Sequence, residues 1–392
     1  MQISQKCFKD VFLFNFIERY DTLGECDFCH IRNTYVVDMD ELFVKNKLII
    51  TEIFDLYCYE HEYKHMPNRE TLDYINGFVA KRKNMKIFYD NLFNLLQKNW
   101  NLFDLNNISE STAFDILLYW AKNAIPYRKF EKEDLIDPYW YDMRFKNPGY
   151  FIKEDWNFLN FNMKHSYRYH PQNIPDINFD INDLFSNELF SKIYLTFNKG
   201  KILYRGRIKG KNIIKYKRNE MLIPPISVKS IGRANPIGIN YLYTTDNIET
   251  AMAEVRAWKN CIVSIATLEF KTSMNLVDLS VADTPNSIFE TRNYSEQDLL
   301  TRVQYCEIEA LLYETLSRPI DPSDADIEYI FTQYICEEIR TLGYDGIVFK
   351  SSLGDGMNYV LFSDENIIVK EIQDYTVNDI KYKFDEIIKL KN

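Results

Sequence analysis

The chain reads as an α+β protein, a helical N-terminal half joined to a mixed α/β C-terminal half, on three observations. From about Asp40 to Ala124, apolar residues recur every three or four positions, as in YDNLFNLLQKNWNLF and AFDILLYWAKNA, the period of an amphipathic helix. After Ile181 come short segments rich in β-branched and aromatic residues, KILYRGRI, CIVSIATLEF, DGIVFKSS and NYVLF, which have the composition of strands. Between the two, IPYRKFEKEDLIDPYWYDMRFKNPGY and KHSYRYHPQNIPD are rich in Pro, Asn and charge and hold no period, as connections do. The expected division is a helical domain over 1–124, a connecting region over 125–180, a mixed α/β domain over 181–374 and a charged tail over 375–392, itself a solvated helix.

Within this frame each element has its own signal. TYVVDMDELF reads as a brief strand running into a helix. VQYCEIEALLYETLSRP is a helix stopped near Pro319, where the missing N–H and the ring end the ladder. PSDADIEYIFTQYICEEIRTLG is a second helix, with Ser323 as its N-cap and Gly343 at its C-terminal stop.

Composition limits function. A chain of 392 residues is long enough for two or three domains, and 28 Tyr and 27 Phe against 12 Gly predict dense aromatic packing. The net charge of -10 opposes nonspecific nucleic-acid binding, which depends on Lys and Arg neutralising phosphates. The sequence lacks both an export-type leader and any run near twenty apolar residues, so a cytoplasmic location without membrane insertion is expected. Seven cysteines in such a chain suggest reduced thiols or metal ligation before disulfides.

The densest chemistry lies in GRANPIGINYLYTTDNIETAMAEVR, residues 232–256. Arg233 falls in a Gly- and Pro-marked loop, Tyr243 on the strand NYLYTT and Glu254 on the helix that follows. Asp246 and Glu249 have the spacing of a capping box for that helix. Ile248, Ala251, Met252 and Val255 form its apolar face, and Glu254 borders it. Taken alone, such residues are more often structural: a helical Glu solvates, a strand Tyr packs and a loop Arg faces water.

The order of motifs adds a resemblance. LYRGR (203–207), the stretch just quoted, CIVSIATLEF, NLVDLS, YIFTQYICEEIRTLGYDGIVFKSS and MNYVLF together resemble the RES domain family over residues 185–372. The family occurs in bacterial toxins of toxin–antitoxin pairs and in related effectors, including phage-defence settings. The resemblance implies an ADP-ribosyltransferase-like fold and cleavage of the nicotinamide–ribose bond of NAD+ by water or by phosphate. By position it assigns Arg233, Tyr243, Glu254 and Ser351 to the active site, with Arg205, Tyr204, Asn235 and Ser352 as substrate-binding residues. Ser352 is the alternative to Ser351 as the site serine. NAD+ is then the substrate, no cofactor is required for catalysis, and an antitoxin, immunity or sensor protein and self-association into a homo-oligomer are the expected partnerships.

These residue types suit that reaction. Loss of nicotinamide leaves an oxocarbenium-like ribose, which a carboxylate near the 2′-hydroxyl stabilises; Glu254 takes that role. Arg233 and Arg205 suit a pyrophosphate. Tyr243 would wall the cationic nicotinamide ring, and Ser351 would fix ribose or carboxamide. The basic run NKGKILYRGRIKGKNIIKYKR either concentrates an anionic dinucleotide or is a solvated edge kept from pairing. Transfer of ADP-ribose to a protein or nucleotide acceptor uses the same residues, and a catalytically silent NAD-binding module is the reading from another class.

In the N-terminal half, GECDFCH places Cys26 and Cys29 at the spacing of half a zinc knuckle, with Cys7 upstream. The surrounding stretch resembles the N-terminal domain of HEPN/RES-type proteins, where two C-x-x-C pairs are usual; here Ser4 stands three before Cys7. Structural zinc on Cys7, Cys26 and Cys29, with His30, Cys58 or His61 as fourth ligand, stands beside a zinc-free remnant of packed thiols. HEYKH (61–65) matches a zinc-protease pattern, but Pro67 argues against the helix it needs. No Arg is followed four to six residues later by His in a helical setting, so the helical half reads as noncatalytic.

Overall fold

The computed structural model describes the chain except residues 60–88, 137–139, 143–152, 176–184, 186, 230, 281–286, 291–297, 322 and 381–392. Two compact units result: Met1–Lys153 with Asn178–Asp180 and Asp283–Ile308, and Glu154–Ile177 with Ile181–Ala282 and Glu309–Asn392. HEYKH lies outside the described residues.

The first unit begins with β1 (Gln2–Ser4), α1 (Val11–Glu18), β2 (Leu23–Gly24) and β3 (Thr34–Asp38), the strands forming an antiparallel sheet in the order β1-β3-β2. Helices α2 (Met39–Lys45) and α3 (Lys47–Leu56) follow, then β4 (Tyr57–Tyr59), β5 (Tyr89–Asp90), α4 (Leu92–Trp100), α5 (Glu110–Ala124), α6 (Lys132–Ile136) and β6 (Trp140–Asp142). Strands β4, β6 and β5 make a second small sheet. The expected strand-to-helix passage at TYVVDMDELF is β3 into α2. Side-chain caps start the helices where orphan N–H groups need acceptors: Asp10 accepts from Leu13 N–H at 2.9 Å, Asn91 from Asn94 N–H at 2.7 Å and Ser109 from Thr112 N–H at 3.1 Å. The core is aromatic, with Phe8 stacked on Phe103 and Trp120 at centroid distances of 5.9 and 6.2 Å. Phe289, from the segment that returns late in the chain, packs against Trp120.

Next comes α7 (Lys153–His165), inside the stretch expected to be a connection without period. Its buried Trp156, Leu159 and Met163 lie three and four residues apart, a short pattern that falls between the two polar segments that flank it. Trp156 sets its ring against Phe331, 4.8 Å between centroids, and its indole N–H donates to Thr315 Oγ1 at 3.0 Å.

The rest of the second unit is one eight-stranded mixed sheet with helices. In chain order it contains α8 (Asn187–Ile193), β7 (Tyr194–Phe197), β8 (Ile202–Ile208), β9 (Leu242–Thr245), α9 (Ile248–Glu254), β10 (Ile262–Phe270) and β11 (Met274–Leu279). Then come α10 (Leu299–Ser317), α11 (Ala325–Thr341), β12 (Gly346–Lys350), β13 (Met357–Leu361) and β14 (Ile367–Thr376). Helix α10 is shared, its residues to Ile308 falling in the first unit and those from Glu309 in the second. The strand order is β14-β10-β8-β9-β13-β12-β11-β7. Only β11 and β12 run parallel among the described pairs, and α10 and α11 lie in the long connection that such a pair requires. One apolar cluster contains Leu203, Leu242, Leu268 and Leu361; another contains Ala251, Val263 and Ile265, with Tyr204, Met252 and Val255 against it. Alternation along the strands puts these clusters on opposite faces.

Three local expectations change. Helix α9 is capped by Asn247, whose Oδ1 accepts from Thr250 N–H at 2.7 Å, one residue after Asp246. Asp246 Oδ1 instead accepts from Met357 N–H at 3.0 Å, tying α9 to β13. Asp324 rather than Ser323 precedes α11. The charged tail does not begin as a helix, because β14 continues through Tyr375 and Thr376 in register with Val263 and Ile262. Substituting Asn247→Ala is expected to lower stability in urea unfolding by about 1 kcal/mol, and Asn247→Asp should also destabilise, because it replaces the Nδ2 that donates to Asp246 Oδ1 at 2.9 Å with a second carboxylate oxygen.

Candidate active site

The site lies where the sheet divides. Strands β8 and β9 are joined through a single residue pair, Tyr204↔Thr245, and a cavity of about 250 Å³ occupies the fork. Tyr204, Arg205 and Gly206 line it from β8, Tyr243, Thr244 and Thr245 from β9, Ala251, Glu254 and Val255 from α9, and Asn358 from β13.

Helix α9 reaches this position because residue 206 is glycine. A side chain there would come within 2.7 Å of the Ala251 carbonyl oxygen, so the missing Cβ lets the helix lie on β8 and carry Glu254 to the fork. Two donors then converge on one oxygen of Glu254: Ser351 Oγ at 2.6 Å and Asn358 Nδ2 at 2.8 Å. Ser351 is buried and its Oγ also accepts from the backbone N–H groups of Leu353 and Gly354, at 3.1 and 3.0 Å. Ser352 is exposed. Of the two adjacent serines, the structure brings Ser351 to the glutamate.

Arg205 is the unusual cation. Alternation places it beside Leu203, on the sheet face opposite Tyr204 and α9, yet it lines the same cavity. Its Nη1 is buried with no hydrogen-bond partner. Burial, with Arg207 nearby, lowers its pKa to about 9 while Asp364 opposes the drop, so the group remains cationic at neutral pH. A buried N–H without an acceptor is costly, and an anion beside this half-buried guanidinium would relieve that cost.

Arg233 behaves differently. Its guanidinium donates to the carbonyl oxygens of Leu316 and, at 2.9 Å, Arg318, at the end of α10, and lies over the Tyr329 ring 5.6 Å from its centroid. Burial lowers its pKa; the charges of Tyr329 and Glu254 oppose this. The loop it belongs to is held from α11 as well, where Thr332 Oγ1 donates to the Arg233 carbonyl at 2.6 Å and Gln333 Nε2 to those of Gly232 and Asn235 at 2.9 and 3.1 Å. Tyr243 completes the clamp, donating to Asn235 Oδ1 at 2.6 Å and accepting from Ala234 N–H at 3.0 Å. A side chain at Gly232 would come within 2.3 Å of the Tyr243 hydroxyl, so glycine is needed there. Burial pushes the Tyr243 phenol well above its ordinary pKa, which keeps it a donor.

Of the residues that the resemblance assigned, the structure joins Ser351 to Glu254 and ties Tyr243 to the loop that carries Arg233. Sequence reasoning missed Asn358, Thr332 and Gln333. Asn358 sits inside the quoted run MNYVLF, and its polar side chain in an otherwise apolar strand was the available signal. The other two sit on α11 among buried apolar residues and mark themselves only by their contact with a loop about a hundred residues away in sequence.

In the first unit, the Sγ atoms of Cys7, Cys26 and Cys29 lie within 4.8 Å of one another. Cys26 Sγ accepts from the backbone N–H groups of Ser4, Phe28 and Cys29 at 3.3, 3.4 and 3.4 Å, and Cys7 Sγ is 3.5 Å away. The Cys7 thiol and the amides of Cys29 and Phe28 lower the Cys26 pKa, and the same pairing raises that of Cys7. Ser4 Oγ is 3.3 Å from Cys29 Sγ and 3.9 Å from Cys7 Sγ. Three soft donors with a hydroxyl beside them fit one ion of the zinc class. His30 is exposed and outside the cluster; the Cys58 side chain and His61 lie outside the described residues. Among the described residues no helix is long and apolar enough to cross a membrane.

The orphaned Arg205 leads to a stability test. Arg205→Met should melt at or above the wild-type temperature, since replacing a buried unpaired charge with an apolar chain is neutral or stabilising. Inorganic pyrophosphate should raise the melting temperature of the wild type and leave that of the variant unchanged.

A search of curated proteins finds no match. Among solved structures, the complex of the M. tuberculosis toxin MbcT with its antitoxin MbcA is similar at 13% identity and a TM-score of 0.26, over 49% of this chain and 94% of that one. Residues 207–385 match the family model of the RES domain. That span begins two residues after Arg205 and includes the fork's β9, α9 and β13, so the C-terminal half of this chain carries a RES domain.

Proposed function

We propose that the fork between β8 and β9 is the active site of an NAD+-consuming enzyme that cleaves the nicotinamide–ribose bond, acting as a toxin or defence effector. The observation that carries this reading is the presence on one small cavity of Arg205, whose Nη1 is buried without a hydrogen bond, and of an anchored carboxylate, Glu254. A volume of about 250 Å³ is a little below the roughly 300–1,000 Å³ usual for drug-sized ligands. It suits the reacting end of a dinucleotide whose remainder extends outward.

In this reading Arg205 receives the pyrophosphate. Glu254 faces the ribose and stabilises the positive charge that develops as nicotinamide leaves with the bonding electron pair. Tyr243 forms the wall for the ring. Arg233, engaged with backbone carbonyls, fixes the loop under Tyr243 and adds positive potential near Glu254, while Ser351 holds Glu254 in place. Asn235 supports Tyr243, Tyr204 closes the cavity from β8, and Ser352 stands outside it. A protein partner, such as an antitoxin, belongs to this reading through the RES domain. Transfer of ADP-ribose to another acceptor would use the same groups.

For the first unit the proposal is structural zinc on Cys7, Cys26 and Cys29. Bound there, the ion would tie the turn after β1 to the Cys26–Cys29 knuckle. Metal analysis of protein purified without chelators should give one zinc per chain, with Cys26→Ser losing it and melting at a lower temperature; metal-free wild type would refute this proposal.

The enzymatic reading is tested by nicotinamide release from NAD+ with and without inorganic phosphate. Wild type should release nicotinamide and Glu254→Ala should lose at least about 100-fold in rate, the scale of losing a principal electrostatic stabiliser, with unchanged folding by circular dichroism. Undiminished turnover by Glu254→Ala would refute the mechanism. Dependence on phosphate would identify phosphorolysis, and recovery of labelled ADP-ribose on a macromolecule would identify transfer.

A further inference from the structure

We infer that Asn358 is a positioning residue that sets which oxygen of Glu254 works on the substrate; this rests on the reading of the fork as the site of NAD+ cleavage. Asn358 is 8% exposed in the middle of the unit's sheet, on β13 between Phe349 of β12 and Thr245 of β9. A buried amide on a central strand needs a reason, because its polar atoms must be satisfied where apolar side chains would pack without cost. Its Nδ2 donates to Glu254 Oε1 at 2.8 Å. The orientation of the amide is fixed chemically: turning its oxygen toward the carboxylate would set two acceptors face to face.

Oε1 also receives the Ser351 hydroxyl. With two donors converging on Oε1, the carboxylate can neither rotate nor present that oxygen to a ligand without breaking charge-assisted hydrogen bonds. Oε2 is therefore the oxygen left for the reacting ribose. The two holders enter from different strands of one hairpin, Ser351 just after β12 and Asn358 within β13, so hairpin and carboxylate move together. The other charged and titratable groups around Glu254 are Arg205 and Tyr204 on β8, Tyr243 on β9 and Arg233 in the preceding loop. None of these donates a hydrogen bond to the carboxylate.

Two substitutions separate positioning from mere packing. Asn358→Asp keeps the shape and sets a second carboxylate against Oε1; like charges raise the proton affinity of the pair. The acid limb of the nicotinamide-release profile should move upward by about one pH unit or more. Asn358→Ala removes one charge-assisted hydrogen bond and should lower kcat roughly tenfold with little change in KM. A purely structural role would reduce the folded fraction without moving the pH profile. The same point is read without turnover by ¹³C NMR of carboxyl-labelled protein, in which the Glu254 midpoint should be higher in Asn358→Asp than in wild type. An unchanged midpoint would overturn the inference. Wild type silent toward NAD+ but with the midpoint displaced in the variant would defeat the proposed reaction and leave the assignment of Asn358 standing.

Discussion

The C-terminal site depends on one pair of residues across two strands. Tyr204 and Thr245 are the sole ladder pair between β8 and β9, so beyond them the strands part in the middle of an eight-stranded sheet. A continuous ladder would have satisfied the backbone locally and sealed the sheet. The fork instead leaves a space that Arg205 lines from β8 and Glu254 from α9. A cation and a carboxylate of the same protein would normally pair and neutralise each other. Here Arg205 and Glu254 line one cavity without a hydrogen bond between them.

The parts around the fork enforce this separation. The absent side chain at Gly206 lets α9 settle on β8, Asp246 fastens the start of the helix to β13, and Ser351 and Asn358 hold its last residue. On the other side of the site, Arg233, Tyr243, Thr332 and Gln333 bind one loop with bonds to backbone groups and to Asn235. Helix α11 is anchored in turn through Glu328, which pairs with Lys164 of α7 at 3.0 Å and with Arg318 at 2.5 Å; the same Arg318 offers its carbonyl to Arg233. Restraint of this kind keeps donors and carboxylate oriented before a substrate arrives, which is the condition under which electrostatic stabilisation contributes most.

Much of the fold was legible because period and composition report burial directly. The alternation in KILYRGRI and CIVSIATLEF, and the three-and-four spacing before Ala124, come from faces that pack against a core. The order of strands in the sheet was not legible, since pairing is decided by contacts between residues far apart in sequence. The helix over 153–165 was lost between two polar stretches, and the cap of α9 shifted because Asp246 and Asn247 are both good acceptors and only the tertiary bond to Met357 assigns them. At the site, the stretch 232–256 drew attention to Arg233, Tyr243 and Glu254, and the resemblance to RES domains assigned them and Ser351 to the site. Neither could show that Arg233 is held by carbonyls 83 and 85 residues away, nor that Nη1 of Arg205 is buried without a hydrogen bond.

The most direct measurement is a crystal structure with ADP-ribose bound. The pyrophosphate should lie against Arg205 and the ribose anomeric carbon on the Glu254 side of the fork, between the parted strands. ADP-ribose bound elsewhere, or lying on one face of the sheet without entering the fork, would contradict it.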